Sequence, residues 1–101
     1  MPKKHYYNVN YNDEWGGYVI ASATTLKEAR KLFNQAKKKV PLEMSQTKFE
    51  YARENDECIT LEKEFEFVED GNNENVILET FWLCKLDKKP TRKEQQHKHQ
   101  Q

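Results

Sequence analysis

Four glutamates, Glu62, Glu64, Glu66 and Glu79, are the side chains of this 101-residue sequence whose type and spacing could do chemistry. The first three stand at every second position, so on a β-strand they share one face, roughly 6.6 to 7 Å apart along the backbone. Carboxylates so placed could act as an acid and a base, but that division of labour needs two different environments. One open strand face gives all three the same one. Displayed negative charge is the better use. If the segment after residue 73 pairs with them, Glu79 joins the set, beside Ile77, Phe81 and Leu83. Exposed apolar groups rimmed by charge mark interaction surfaces. Glu62, Glu64, Glu66, Glu79, Phe81 and Leu83 are therefore the expected partner-binding residues, and the expected partner is a basic protein. The rival reading buries this face under another strand of the same chain or in a homodimer.

Other chemistry has less to stand on. The histidines are His5, His97 and His99, one in a predicted strand and two near the C-terminus, which builds no preorganised Cys-His or Ser-His pair. Two histidines flanking Lys98 make a poor metal site. With only three glycines there is no phosphate-cradling loop. No catalytic residue, metal ligand or cofactor is expected, and the chain reads as a non-enzyme. Cys58 and Cys84 are too few for a disulfide scaffold or a four-cysteine zinc site and are expected to be reduced, Cys84 as a small core residue and Cys58 at a strand edge. The alternative function is nucleic-acid binding through Lys27, Arg30, Lys31 and Lys38 on a helix face, with Arg92 and Lys93 in a basic tail. An acidic block alongside would repel phosphate.

These residues need elements to position them. Cys58 to Leu86 reads as two long strands joined through Asp70-Gly71-Asn72-Asn73, residues that tolerate hairpin turns. Ile59, Leu61, Phe65 and Phe67 alternate on the first strand. A register whose paired numbers sum to an odd total sets them beside Val76, Leu78, Trp82, Cys84 and Leu86, and a one-residue slip would break that apolar face. Thr60 and Val68 then fall with the glutamates. Lys63, the odd member of the apolar face, is expected to lay its stem over Trp82. Upstream, Tyr7, Val9 and Tyr11 alternate with Tyr6, Asn8 and Asn10 as a strand, which the Gly16-Gly17 turn returns into a second strand from Tyr18 to Ala23.

Thr25-Leu26-Lys27-Glu28 has the spacing of a capping box, and Leu26, Ala29, Leu32, Phe33 and Ala36 recur as one helical stripe, ending near Lys39 before Val40-Pro41. Between Leu42 and Asp56 the pattern is ambiguous. Alternation of Thr47, Phe49 and Tyr51 favours a strand from about 46 to 53, against a short helix built from good helix formers. The expected fold is α+β, with one helix packed on a mostly antiparallel sheet in the order β-β-α-(β)-β-β. Its core is expected to hold Val9, Leu26, Leu32, Phe33, Ile59, Leu61, Phe65, Phe67, Leu78, Trp82 and Leu86.

Length allows one domain, expected at 1–86, with 87–101 as a disordered basic tail. Mean hydropathy is −1.12, yet twelve per cent aromatic residues argue against wholesale disorder. Zero net charge hides segregation: nine basic residues against four acidic in 1–48, two against eleven in 49–83, six against two in 84–101. No run of about 18 apolar residues suggests a membrane span, and Met-Pro-Lys-Lys is followed by no signal-peptide core, so a cytoplasmic location is expected.

Tyr7-Asn8-Val9-Asn10-Tyr11, Gly16-Gly17, Thr25-Leu26-Lys27-Glu28-Ala29 and Cys58-Ile59-Thr60-Leu61-Glu62-Lys63 together resemble small uncharacterised proteins of Gram-positive bacteria and their phages. Such proteins often bind and block a host or defence protein. The resemblance therefore implies an inhibitory binding role, and it brings no defined site with it.

Overall fold

The computed structural model describes residues 4–66 and 73–92. Strands β1 (Lys4–Asp13) and β2 (Gly16–Ala23) form a hairpin, followed by helices α1 (Leu26–Glu43) and α2 (Gln46–Glu54). Strands β3 (Cys58–Glu66) and β4 (Asn73–Trp82) and a single 3-10 turn, Leu83–Lys85, complete the fold. The sheet is antiparallel throughout in the order β2-β1-β3-β4, with both helices on one face. At the first hairpin turn Gly16 has φ +134, a conformation that a side chain would strain. The expected turn residues 70–72, and Phe67 and Val68 before them, lie outside the described residues, as does 93–101.

α1 starts as its sequence requires, with the Thr25 hydroxyl accepting from the Glu28 N–H at 3.3 Å. Its stripe of Ala29, Phe33 and Ala36 is buried against Tyr7, Val9, Ile59 and Leu61, with Leu26 and Leu32 half-buried alongside. The helix does not stop at Lys39. It runs through Pro41, which is buried, because Val40 and Met44 pack on the core and hold the last turn against the sheet despite the missing N–H.

The segment 46–53 is a helix, not a strand, so the element order is β-β-α-α-β-β. Ser45 caps it by accepting from the Lys48 N–H at 3.1 Å, and Phe49 and Ala52, three apart, are wholly buried. At its end Asp56 adopts φ 53, and the Glu57 N–H reaches back to the Ala52 carbonyl at 3.0 Å, a Schellman closure built without glycine.

The β3·β4 register corrects the expected face. Pairing runs Cys58↔Trp82 to Leu61↔Glu79, then Glu62↔Ile77 to Glu66↔Asn73, with a bulge between Leu61 and Glu62. The pair sum is thus odd only beyond the bulge. One extra residue on β4 inverts the faces of everything after it. Phe81 turns to the helices opposite Ile59, while Trp82 and Leu78, both expected in the core, are 41% and 39% exposed. Cys84, expected in the core, is exposed because the chain has left the sheet for the 3-10 turn, and Cys58, expected at a strand edge, is buried at the start of β3. Lys63 lies over Tyr7 and Phe65, at 5.9 and 4.9 Å from the ring centres, not over Trp82. β1·β2 has a bulge of its own between Val9 and Asn10. Each edge strand is bent in this way, which disfavours edge-to-edge pairing.

One polar joint ties β1 to α2. Glu57, 1% exposed, accepts from the Tyr11 hydroxyl and from Lys48 Nζ at 3.0 Å, while its backbone carbonyl accepts from Leu83 N–H at 3.1 Å. Burial, and then the bond to Glu57, hold the Tyr11 phenol well above its ordinary value near 10; burial also pushes the Cys58 thiol up. The folded chain keeps these protons after the unfolded chain has lost them. Stability from both groups is therefore full at neutral pH and falls as pH rises through roughly 9 for Cys58 and 10 for Tyr11. Denaturant titrations across this range should show that loss in the wild type and a shallower one above about pH 10 in Tyr11→Phe. Parallel curves would exclude Tyr11 as the cause.

Candidate interaction face

The helices leave one side of the sheet uncovered. Alternation on β1 and β3 sends Asn8, Asn10, Asn12, Thr60, Glu62 and Glu64 to that side, because Tyr7, Val9, Tyr11, Ile59 and Leu61 take the other. β2 adds Ser22 opposite Asn8 and Val19 opposite Asn10. β4 adds Asn75 and Ile77 before its bulge, then Thr80 and Trp82 beyond it.

These side chains are wired across all four strands. Ser22 Oγ donates to Asn8 Oδ1 at 2.7 Å, and Asn8 Nδ2 donates to Glu64 Oε2 at 2.6 Å. Asn12 Nδ2 donates to Thr60 Oγ1 at 2.9 Å, and that hydroxyl donates onward to Glu62 Oε2 at 2.6 Å. Asn10 Nδ2 reaches the same oxygen at 2.9 Å, while Asn75 Nδ2 serves Glu62 Oε1 at 2.5 Å. Glu62 is only 6% exposed, and it forms no ion pair with a described residue. Three neutral donors hold its charge without cancelling it. The face is therefore negative at its centre, with Val19, Ile77 and Trp82 exposed towards its two edges.

The expected partner-binding set is divided by this geometry. Glu62 and Glu64 share the open face, and Glu66 holds the next register position, opposite Asn73 and Lys4. Glu79 does not join them: the bulge turns it to the helix side, where its Oε2 lies 3.9 Å from Arg30 Nε. Phe81 packs partly buried against the core near Lys37, and Leu83 is wholly buried in the 3-10 turn, so neither is presented to a partner. Of the alternative set, Lys27, Arg30, Lys31 and Lys38 are exposed on α1 and Arg92 is exposed beyond the sheet, while Lys93 lies outside the described residues. The asparagines and Ser22 were not singled out by their chemistry. Their signal was the even-numbered alternation of Asn8, Asn10 and Asn12 against the aromatic positions of β1.

Among the described residues no group of three or more histidine, cysteine or carboxylate side chains is placed to hold a metal ion, and no helix is long and apolar enough to cross a membrane. No family model matches the chain, and neither a curated protein nor a solved structure matches it.

Proposed function

We propose that this chain is a non-catalytic protein-binding module that takes a basic partner on the open face of its sheet. The observation carrying this reading is the Glu62 carboxylate, fixed by Asn10, Thr60 and Asn75 with no described cation to neutralise it. A guanidinium or ammonium from a partner would meet a negative field already organised by the fold. Four strands of eight to ten residues, about 4.8 Å apart, make a platform of roughly 19 by 30 Å, about 570 Å² against the roughly 800 Å² that each side of a standard interface buries. Exposed Ile77 and Trp82 supply the apolar anchors such an interface needs. Occupying a basic surface that reads phosphate would make the module an inhibitor of that partner.

The test is capture from nuclease-treated lysate, comparing wild type with Ile77→Ser/Trp82→Ala. Both side chains are solvent-exposed, so the variant is expected to stay folded and to lose its partner by about tenfold or more in affinity. Equal retention by the two proteins would move the site elsewhere. A second reading has one observation in its favour. At 100° per residue, Lys27, Arg30, Lys31 and Lys38 fall within about a 100° arc of α1, on the side of the sheet away from the open face. If that stripe binds nucleic acid, affinity should fall steeply with salt and be indifferent to Ile77 and Trp82.

A further inference from the structure

Away from the open face, a cleft of about 310 Å³ lies where the β1–β2 hairpin meets the C-terminal turn of α1, lined by Tyr11, Asp13, Tyr18, Val40, Glu43 and Met44. We propose that it is a binding site for an alkylammonium group, a primary ammonium on an aliphatic stem. Its walls have the two halves such a group requires. Val40 and Met44 are half-buried apolar surface for methylenes, and Tyr18, 57% exposed and packed 5.8 Å from the buried Tyr11 ring, supplies aromatic surface for a cation. Asp13 and Glu43 supply the charge, and neither forms an ion pair with a described residue. Asp13 Oδ1 accepts only the Trp15 N–H, at 2.8 Å.

Lys48 also lines the cleft and does not fill this role. Lys48 is matched to the buried Glu57, 3.0 Å away, and from there its ammonium lies 6.0 Å from the Tyr11 ring centre and 5.2 Å from that of Tyr51. With that pair neutral, two carboxylates remain. The helix end beside them is also negative: α1 has no basic residue in its last turn, and the cation drawn there comes from Lys89, whose Nζ donates to the Leu42 carbonyl at 3.0 Å. Ammonium groups of this chain thus already settle around the cleft, while its own carboxylates are left for another. Anionic ligands are repelled, and a neutral amide can donate a hydrogen bond to Asp13 or Glu43 but lacks the attraction between opposite charges.

The ammonium could come from a lysine of another chain or from a free polyamine. Amide NMR titrations of the full chain with acetyl-lysine methylamide and with spermidine separate the two sources, and acetyl-lysine methylamide acetylated on Nε is the uncharged control. Binding by either ammonium probe should shift signals of residues 11–18 and 40–48, and the tighter probe identifies the source. Asp13→Asn/Glu43→Gln should weaken that probe at least fivefold, and added salt should weaken it in the wild type, a readout that needs no variant to fold. The proposal is overturned if neither ammonium probe shifts these residues, if the acetylated control shifts them equally, or if the double variant binds unchanged. Shifts confined to Asn8, Glu62 and their neighbours would overturn it too, without touching the reading of the open face.

Discussion

Glu62→Lys should destabilise the fold by about 3 kcal/mol, enough to remove a large share of the roughly 5 to 15 kcal/mol typical of a domain. The reason lies in what surrounds the carboxylate. Asn10 Nδ2, Thr60 Oγ1 and Asn75 Nδ2 all aim donors at it, and an ammonium offers them only more donors. The longer stem can lift the charge towards water, which keeps the cost near the lower end of what breaking a buried charged network entails. Glu62→Gln keeps one acceptor and should cost about 1 to 2 kcal/mol. Glu64→Lys, at a half-buried position, should cost less than Glu62→Lys. Thermal unfolding checks the order: a drop of more than about 10 °C for Glu62→Lys, and an intermediate one for Glu62→Gln. If Glu62→Lys melts with the wild type, Glu62 is surface charge and the network does not hold it. The same result matters for function, since loss of a partner in Glu62→Lys would report unfolding, whereas loss in Ile77→Ser/Trp82→Ala reports the face.

Alternation and helical spacing made much of this architecture legible. The odd positions of β3 face the core at Ile59 and Leu61, the Ala29, Phe33 and Ala36 stripe of α1 packs on them, and the Thr25 cap sits where its motif put it. The failures have specific physical sources. A bulge adds one residue without changing the local pattern, so nothing in Val76-Ile77-Leu78-Glu79 marks the point where β4 changes parity, and Phe81 exchanged faces with Trp82. Leu83 looked like the next strand residue on the outer face, but the chain leaves the sheet at Trp82 and the turn sinks Leu83 beneath α2. The site was half legible for the same reasons: Glu62 and Glu64 were placed on the open face, and the bulge removed Glu79 and Phe81 from it. What alternation could not convey is that Glu62 would be buried there. Its burial comes from long-range partners on β1 and β4, set by register and not by neighbours in sequence.

Phe49→Ala is expected to cost about 3 to 5 kcal/mol and Tyr51→Ala under about 1 kcal/mol. The pair discriminates between the two conformations open to 46–54. On a strand, Phe49 and Tyr51 would point to the same face and share a fate. On α2 they are about 200° apart around the axis, which puts Phe49 at 0% exposure and Tyr51 at 42%. The Arg53 guanidinium lies over Phe49, 5.6 Å from its ring centre, and Arg53 Nε is buried with no hydrogen-bond partner among the described residues. Emptying that position therefore opens a cavity and deprives a charged group of the Phe49 ring. Equal losses at the two positions would argue for a strand. The expected asymmetry says that packing under the 3-10 turn, together with the Ser45 cap, decides the conformation, and that three alternating residues were too short a run to oppose it.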